Sequence, residues 1–239
     1  MTPLAHDLAR RLAETYQTAL DVGTGTGILA GVLPARIIFG IDTSAAMLRH
    51  AIPQNVWYVQ GDIQRAPFAA ETFDLIAASF GLNATHPRRT LRALWRLLRP
   101  GGVVLLQEWG AMDQAVYAVQ SVLEAYIPLA LEDQFDAYHA SFDTWENFFQ
   151  TSEDYAELFA EYGFVEIEAS ESAPVIVSAD REAFLAYQLV WPSAQAILAA
   201  QDDPAPLYAN LRAVLPSIVN WQPNLIRLSA RKPTTSKTG

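Results

Sequence analysis

Three acids stand at the best addresses for chemistry in this chain: Asp21, Asp42 and Asp62, each closing a short apolar run. After Asp21 the sequence reads Val-Gly-Thr-Gly-Thr-Gly, with glycine at every second position (Gly23, Gly25, Gly27) and Thr24 inside the turn. A backbone without Cβ atoms can turn tightly there and let a ligand lie against the main chain. Such a turn, feeding an apolar helical stretch, delivers free N–H groups at a helix N-terminus, and these suit a carboxylate or a phosphate. A carboxylate beside those donors can hold an ammonium while the N–H groups hold a carboxylate, which together describe an amino-acid zwitterion. Two phosphate-binding patterns fit less well. The dinucleotide fingerprint needs a small residue three positions after the second glycine, and that position is Ile28. A loop ending in Gly-Lys-Ser/Thr is absent.

The elements that must position these residues follow from periodicity and turn chemistry. Residues 4–16 read as one amphipathic helix, and residues 18–22 as a first strand. The glycine turn then opens a helix that Pro34 closes. Arg36–Ile41 is a buried strand ending at Asp42, and Thr43 or Ser44 caps the helix that carries Met47 and Leu48. Val56–Gln60 and Phe73–Ala78 are the next strands. A helix over 87–98 is stopped by Pro100-Gly101-Gly102, and Val103–Glu108 is a further strand. Strands alternating with helices predict an α/β fold with a parallel sheet covered on both faces. Right-handed crossovers then bring the strand C-termini, and with them the three acids, to one edge. The second half differs. Helical insertions are expected at about 111–150 and 180–219, the latter broken at Pro192, Pro204 and Pro206. Between them Thr151 and Asp154 form a capping box for a helix ending at Gly163, followed by a strand over 165–169; a last strand covers 225–230. The expectation is one domain over 1–233 and a disordered tail over 234–239.

Composition narrows the class. The chain has 239 residues, 51% hydrophobic and 18% charged, which describes a globular protein. A net charge of −10 argues against nucleic acid and anionic membrane surfaces as partners. Without cysteine there is no disulfide framework, thiolate metal site or thiol nucleophile. No apolar run approaches the length of a membrane span and no leader pattern opens the chain, so a cytoplasmic protein is expected. Lys232 and Lys237 are the only lysines, both read as tail residues.

The pattern Asp21-x-Gly23-x-Gly25-x-Gly27 resembles the first motif of class I S-adenosylmethionine-dependent methyltransferases, and four later segments carry the same resemblance. These are Asp42 after the second strand, Gly61-Asp62-Ile63 after the third, Phe73–Asn83 at the fourth, and Arg92–Gly102 before the fifth. The resemblance spans about residues 18–110, most closely to the small-molecule enzymes of quinone and biotin biosynthesis. It implies a Rossmann-like, doubly wound, seven-stranded sheet, parallel except for an antiparallel last strand. It implies S-adenosylmethionine as methyl donor and S-adenosylhomocysteine as product. Asp21, Gly23, Thr24, Gly25 and Gly27 would hold the methionine portion, Asp42 with Thr43 the ribose, and Asp62, Ile63 and Met47 the adenine. Ser79 and Phe80 would pass the sulfonium. Asp42 can also be read as a helix N-terminal acid, but the glycine turn before it favours the ribose role; for Met47 alone the plainer reading is core packing, or both roles at once. Two departures stand out: only one helix precedes the first strand, and the later insertion is longer than the quinone enzymes' connection.

On the acceptor side, Phe135, Tyr138, Phe142, Trp145 and Phe149 fall on one face of a helix, as core packing or as the lining of an apolar pocket. Tyr187, Trp191 and Trp221 are further aromatic candidates. Candidate general bases are Glu108, His86, His139 and Tyr138, with Glu108 best placed at the end of the fifth strand and His86 read as a surface residue. No His, Asp and Glu cluster suggests a metal. Arg88, Arg92, Arg96 and Arg99 share one helix face, either simply solvated or a dock for an acidic carrier protein or a CoA-linked acceptor. The sequence therefore reads as a methyltransferase for a small apolar or aromatic acceptor, by C- or O-methylation. The alternatives are an NAD(P)-dependent oxidoreductase and a catalytically silent, methyltransferase-like binding protein. The oligomeric state stays open.

Overall fold

The computed structural model describes residues 2–53, 55–82, 85–110, 113–131, 133, 151–172, 177–190, 192–222 and 224–234. The chain divides into two compact units: residues 1–110, 142–171 and 225–239 form the first, and residues 111–141 and 172–224 the second.

In the first unit the strands are β1 (Tyr16–Val22), β2 (Ala35–Asp42), β3 (Val56–Gln60), β4 (Phe73–Ser79), β5 (Leu98–Trp109), β6 (Val165–Ser172, whose last residue falls in the second unit) and, later in the chain, β9 (Leu225–Arg231). They make one seven-stranded sheet in the order β3-β2-β1-β4-β5-β9-β6. β1 pairs in parallel with β2 and β4, β2 with β3, and β4 with β5, whereas β9 runs antiparallel to β5. The expected Rossmann-like sheet with an antiparallel late strand is therefore present. Its central strands read as near-continuous apolar runs because both faces are covered. One face packs Leu20, Ile76, Ala78 and Val104 against α3 (Pro87–Leu97) and α5 (Ser152–Glu161). The other packs Ala19, Leu75, Ala77 and Leu105 against α1 (Thr2–Ala9) and the segment from Leu29 to Leu33. The capping box at Thr151 and Asp154 is formed as expected.

Four local expectations are corrected. The first helix ends at Ala9, not at 16, because β1 begins two residues early and Tyr16 pairs with Ala35. No α-helix follows the glycine turn: Gly23, Gly25 and Gly27 have φ of 66°, 53° and 79°, outside the right-handed helical region, and only a 3-10 turn over Ala30–Val32 forms. β5 starts at Leu98, with a register shift opposite β4 that absorbs the Pro-Gly-Gly turn, where Gly101 has φ 80°. Lys232 is not a tail residue: it is 8% exposed, and its Nζ donates to the carbonyls of Trp95 (3.0 Å) and Leu98 (2.8 Å) at the C-terminus of α3.

The second unit contains α4 (Gln114–Glu124), α6 (Arg181–Gln188), α7 (Pro192–Ala199) and α8 (Ala205–Ala213). Its strands β7 (Val177–Asp180) and β8 (Ile218–Trp221) form an antiparallel pair. Its core is built on Val119, Leu123, Phe184, Leu185, Leu207 and Leu211. The sequence expectation of helix up to residue 219 missed β8, whose Ile-Val-Asn-Trp run follows Pro216. Among the described residues no helix is long and apolar enough to cross a membrane.

Candidate functional site

The strand order places the C-termini of β3, β2, β1 and β4 side by side, and the three acids occupy that edge. Asp42 is partly buried and stands at the crossing of two loops. Its Oδ2 accepts from Gly25 N–H at 2.8 Å and its Oδ1 from Ser44 N–H at 2.8 Å. Each oxygen keeps acceptor capacity for a further donor. Asp62 caps the 3-10 turn Ile63–Arg65 through Gln64 N–H at 2.9 Å, beside Ile63, which is 4% exposed.

Asp21 is 1% exposed. Its Oδ2 accepts from Thr24 Oγ1 at 2.7 Å and from Ala30 N–H at 3.0 Å, so it ties both ends of the glycine turn together. Burial pushes its pKa up to about 7, with the nearby Asp42 charge adding to the rise and the two hydrogen bonds opposing it. A buried carboxyl poised near neutrality beside a backbone turn is a functional-site signature.

The turn itself differs from the sequence expectation of free N–H groups. Gly23 and Thr24 N–H both donate to Ile41 O, Gly25 N–H to Asp42, and Gly27 N–H to Thr24 O. The N–H groups of Thr26 and Ile28 take no acceptor among the described residues. The glycines also serve different ends. A Cβ on Gly23 would lie 2.4 Å from Gly81 Cα, and one on Gly27 would lie 2.2 Å from Tyr58 Oη, so protein fills both spaces. On Gly25 a Cβ would meet the flexible Met47 methyl at 3.3 Å and Gly23 O at 4.0 Å. Gly25 thus offers the face a ligand can approach. Met47 is 45% exposed above it, which sets aside the core-packing reading for that residue.

β4 ends at Ser79, and Phe80 follows in the left-handed region with φ 58°, a strained conformation for a residue with a side chain. It is held by its N–H on Gln107 O (2.8 Å) and by stacking on Trp109 at 4.2 Å. The bend throws Gly81 against the glycine turn. Glu108 is 3% exposed, and its Oε1 accepts from Leu82 N–H at 3.0 Å, so it braces this same loop. Gly81 was read from the sequence only as part of the loop after the fourth strand, and Gln107 was missed; the only signal for Gln107 was a polar residue directly after the apolar run Val103–Leu106.

The other candidates scatter. His86 is a residue at the surface preceding α3. His139, Tyr138, the aromatic stripe over 135–149 and Trp191 lie outside the described residues. Tyr187 and Trp221 pack on each other at 5.5 Å in the second unit. Thr43 lies between Asp42 and Ser44, the cap of α2 (Ala45–Arg49), and its carbonyl accepts from Gln60. Of the arginine row, Arg88 pairs with Glu161, Arg96 donates to Phe68 O and Ala66 O, and Arg99 pairs with Asp74. Three of its four members therefore have intramolecular partners. Among the described residues no His, Asp or Glu group has the make-up of a metal site.

Residues 20–106 match the family described as a methyltransferase domain. A ubiquinone/menaquinone biosynthesis C-methyltransferase of Klebsiella pneumoniae is 36% identical over 107 residues, covering 39% of this chain and 43% of its own. The chain thus matches less than half the length of such quinone relatives. A trans-aconitate 2-methyltransferase of Deinococcus radiodurans is 34% identical over 186 residues, covering 72% of this chain and 69% of its own. In structure, a Haemonchus contortus phosphoethanolamine N-methyltransferase complexed with S-adenosylhomocysteine superposes with a TM-score of 0.59 at 18% identity, covering 97% of this chain and 52% of its own. That likeness is one of fold. The identity shared over most of the chain, on a sheet edge with this arrangement of acids and glycines, places the protein in the class I S-adenosylmethionine-dependent methyltransferases.

Proposed function

We propose that the protein binds S-adenosylmethionine along the β1–β4 edge and transfers its methyl group to a small-molecule acceptor. The observation that carries this reading is Asp42, whose two oxygens are aimed by Gly25 and Ser44 N–H while retaining lone pairs for a pair of vicinal hydroxyls. The surrounding residues fit the donor. Asp62 and Ile63 provide an acceptor and an apolar wall for an adenine, Gly25 leaves room against the backbone, and Asp21 ties together the turn that carries the Thr26 and Ile28 N–H groups. When bound, the donor supplies an electrophilic methyl on a sulfonium. What this chain contributes is position: a nucleophile held in line at ~3–3.5 Å in a dry site gains much of the acceleration from alignment alone. A general base is needed only for an acceptor that is protonated at working pH. Glu108 Oε1 accepts from Leu82 N–H and so braces the loop after β4.

For the acceptor, the aromatic sequence stripe supports a small apolar or aromatic molecule, methylated at carbon or oxygen. A second reading is a polycarboxylate methylated at a carboxylate oxygen. The Deinococcus relative favours it, because its match extends over 72% of the chain, whereas the quinone relative's match covers 39%. Calorimetric titration with S-adenosylmethionine and S-adenosylhomocysteine, with NADH as control, tests the donor. Micromolar binding of the sulfur ligands, lost in Asp42→Ala, is the expected result; binding of NADH alone overturns the reading. Radiolabelled methyl transfer to a hydroquinone and to trans-aconitate then separates the acceptors.

A further inference from the structure

A buried polar chain crosses the sheet immediately behind the end of β4. Ser79 pairs with Gln107 across β4 and β5, and Gln107 with Arg227 across β5 and β9, so the three side chains lie in one cross-strand row. Gln107 is 0% and Arg227 5% exposed. Arg227 Nε donates to Gln107 Oε1 at 2.9 Å, Gln107 Nε2 donates to Ser79 Oγ at 3.3 Å, and Arg227 Nη2 pairs with Asp7 of α1 at 2.7 Å.

The order of donors in this chain is forced. A guanidinium has only N–H groups to give, so the carboxamide must turn its oxygen toward Arg227 and its NH2 toward Ser79. Ser79 Oγ then accepts from Gln107, and its own proton finds no acceptor among the described residues. Ser79 is the last residue of β4, one position beyond the Val22–Ala78 pair and on the sheet face that carries Asp21 and Ala77. Asp42 stands two strands away, about 10 Å by the spacing of neighbouring strands. A donor whose ribose rests on Asp42 therefore brings its amino-acid arm toward Ser79.

We propose that Arg227 and Gln107 are positioning residues that set Ser79 as a hydrogen-bond donor to the amino-acid carboxylate of the methyl donor. The proposal rests on the donor site described above. Its test is Gln107→Glu, which keeps the shape and the bond to Arg227 but replaces the NH2 with an acceptor. The Ser79 proton then turns back onto the introduced carboxylate and is lost to the ligand. Titration of wild type, Gln107→Glu and Ser79→Ala with S-adenosylhomocysteine and with 5′-methylthioadenosine, which lacks the amino-acid arm, reads the effect. Expected is a loss of about tenfold or more for S-adenosylhomocysteine in both variants, the size of one hydrogen bond to a charged group, with 5′-methylthioadenosine unchanged. The double variant is expected to lose no more than either single one. Equal S-adenosylhomocysteine affinity in wild type and Gln107→Glu, whatever Ser79→Ala does, overturns the relay and leaves Arg227 and Gln107 as sheet structure. A wild-type protein that binds neither ligand refutes instead the donor site itself. Thermal melting of each variant separates loss of affinity from loss of fold.

Discussion

With Asp21 as the proposed counter-charge of the donor's ammonium, donor binding is expected to depend on pH. Burial holds the carboxyl near pKa 7 against an ordinary value of 3.8. As the group binds its proton more tightly folded than unfolded, the stability it contributes is complete below about pH 4 and falls as pH rises toward 7, by about 4 kcal/mol in all. An ammonium placed beside it reverses the balance, since a nearby positive charge favours the ionised form. Binding therefore releases a proton below pH 7. Between pH 5.5 and 7.0 the ionised fraction grows from about 3% to about 50%, so S-adenosylhomocysteine affinity is expected to rise about fifteenfold. Calorimetry in buffers of different ionisation enthalpy counts the proton directly. In Asp21→Asn, where the carboxamide oxygen can still accept from Thr24 and Ala30, affinity should be lower and flat with pH. A wild-type profile that is already flat, with no buffer-dependent heat, would refute the role of Asp21 as the ammonium's counter-charge.

Gly81→Ala puts a methyl 2.1 Å from Val22 O and should force the β4 loop off the glycine turn, lowering stability by about 1–3 kcal/mol with a parallel loss of S-adenosylhomocysteine affinity; melting and titration check the two together. Phe73, fully buried and edge-on to Phe39 and Phe68, lies far along β4 from the site edge. Phe73→Ala should cost about 3–5 kcal/mol in chemical denaturation while the surviving folded fraction binds the donor normally. Lys232→Met removes two hydrogen bonds from the last carbonyls of α3 and should cost about 1–3 kcal/mol in the same assay, with no change in ligand affinity.

Much of the backbone geometry around the candidate site was legible in the sequence because it is local. An acid followed by alternating glycines must form a turn with positive φ, and acids that close apolar runs must arrive at strand ends; neither depends on distant partners. The alternation of strands and helices similarly dictated the covered parallel sheet through the connection rules of the backbone. What tertiary structure decided is everything that involves residues far apart in the chain. Gly23 and Gly81 need to be glycine because two loops cross, and Gly27 because Tyr58 lies over it. The N–H groups of Gly23, Thr24 and Gly25 are spent on Ile41 and Asp42, which no pattern within residues 20–27 announces. Ser79 meets Gln107 through the β4–β5 pairing, and Arg227 joins them only because β9 returns antiparallel against β5, more than a hundred residues after it. Local sequence sets backbone conformation through short-range sterics, whereas burial, pKa and hydrogen-bond polarity depend on which distant side chains the fold brings alongside.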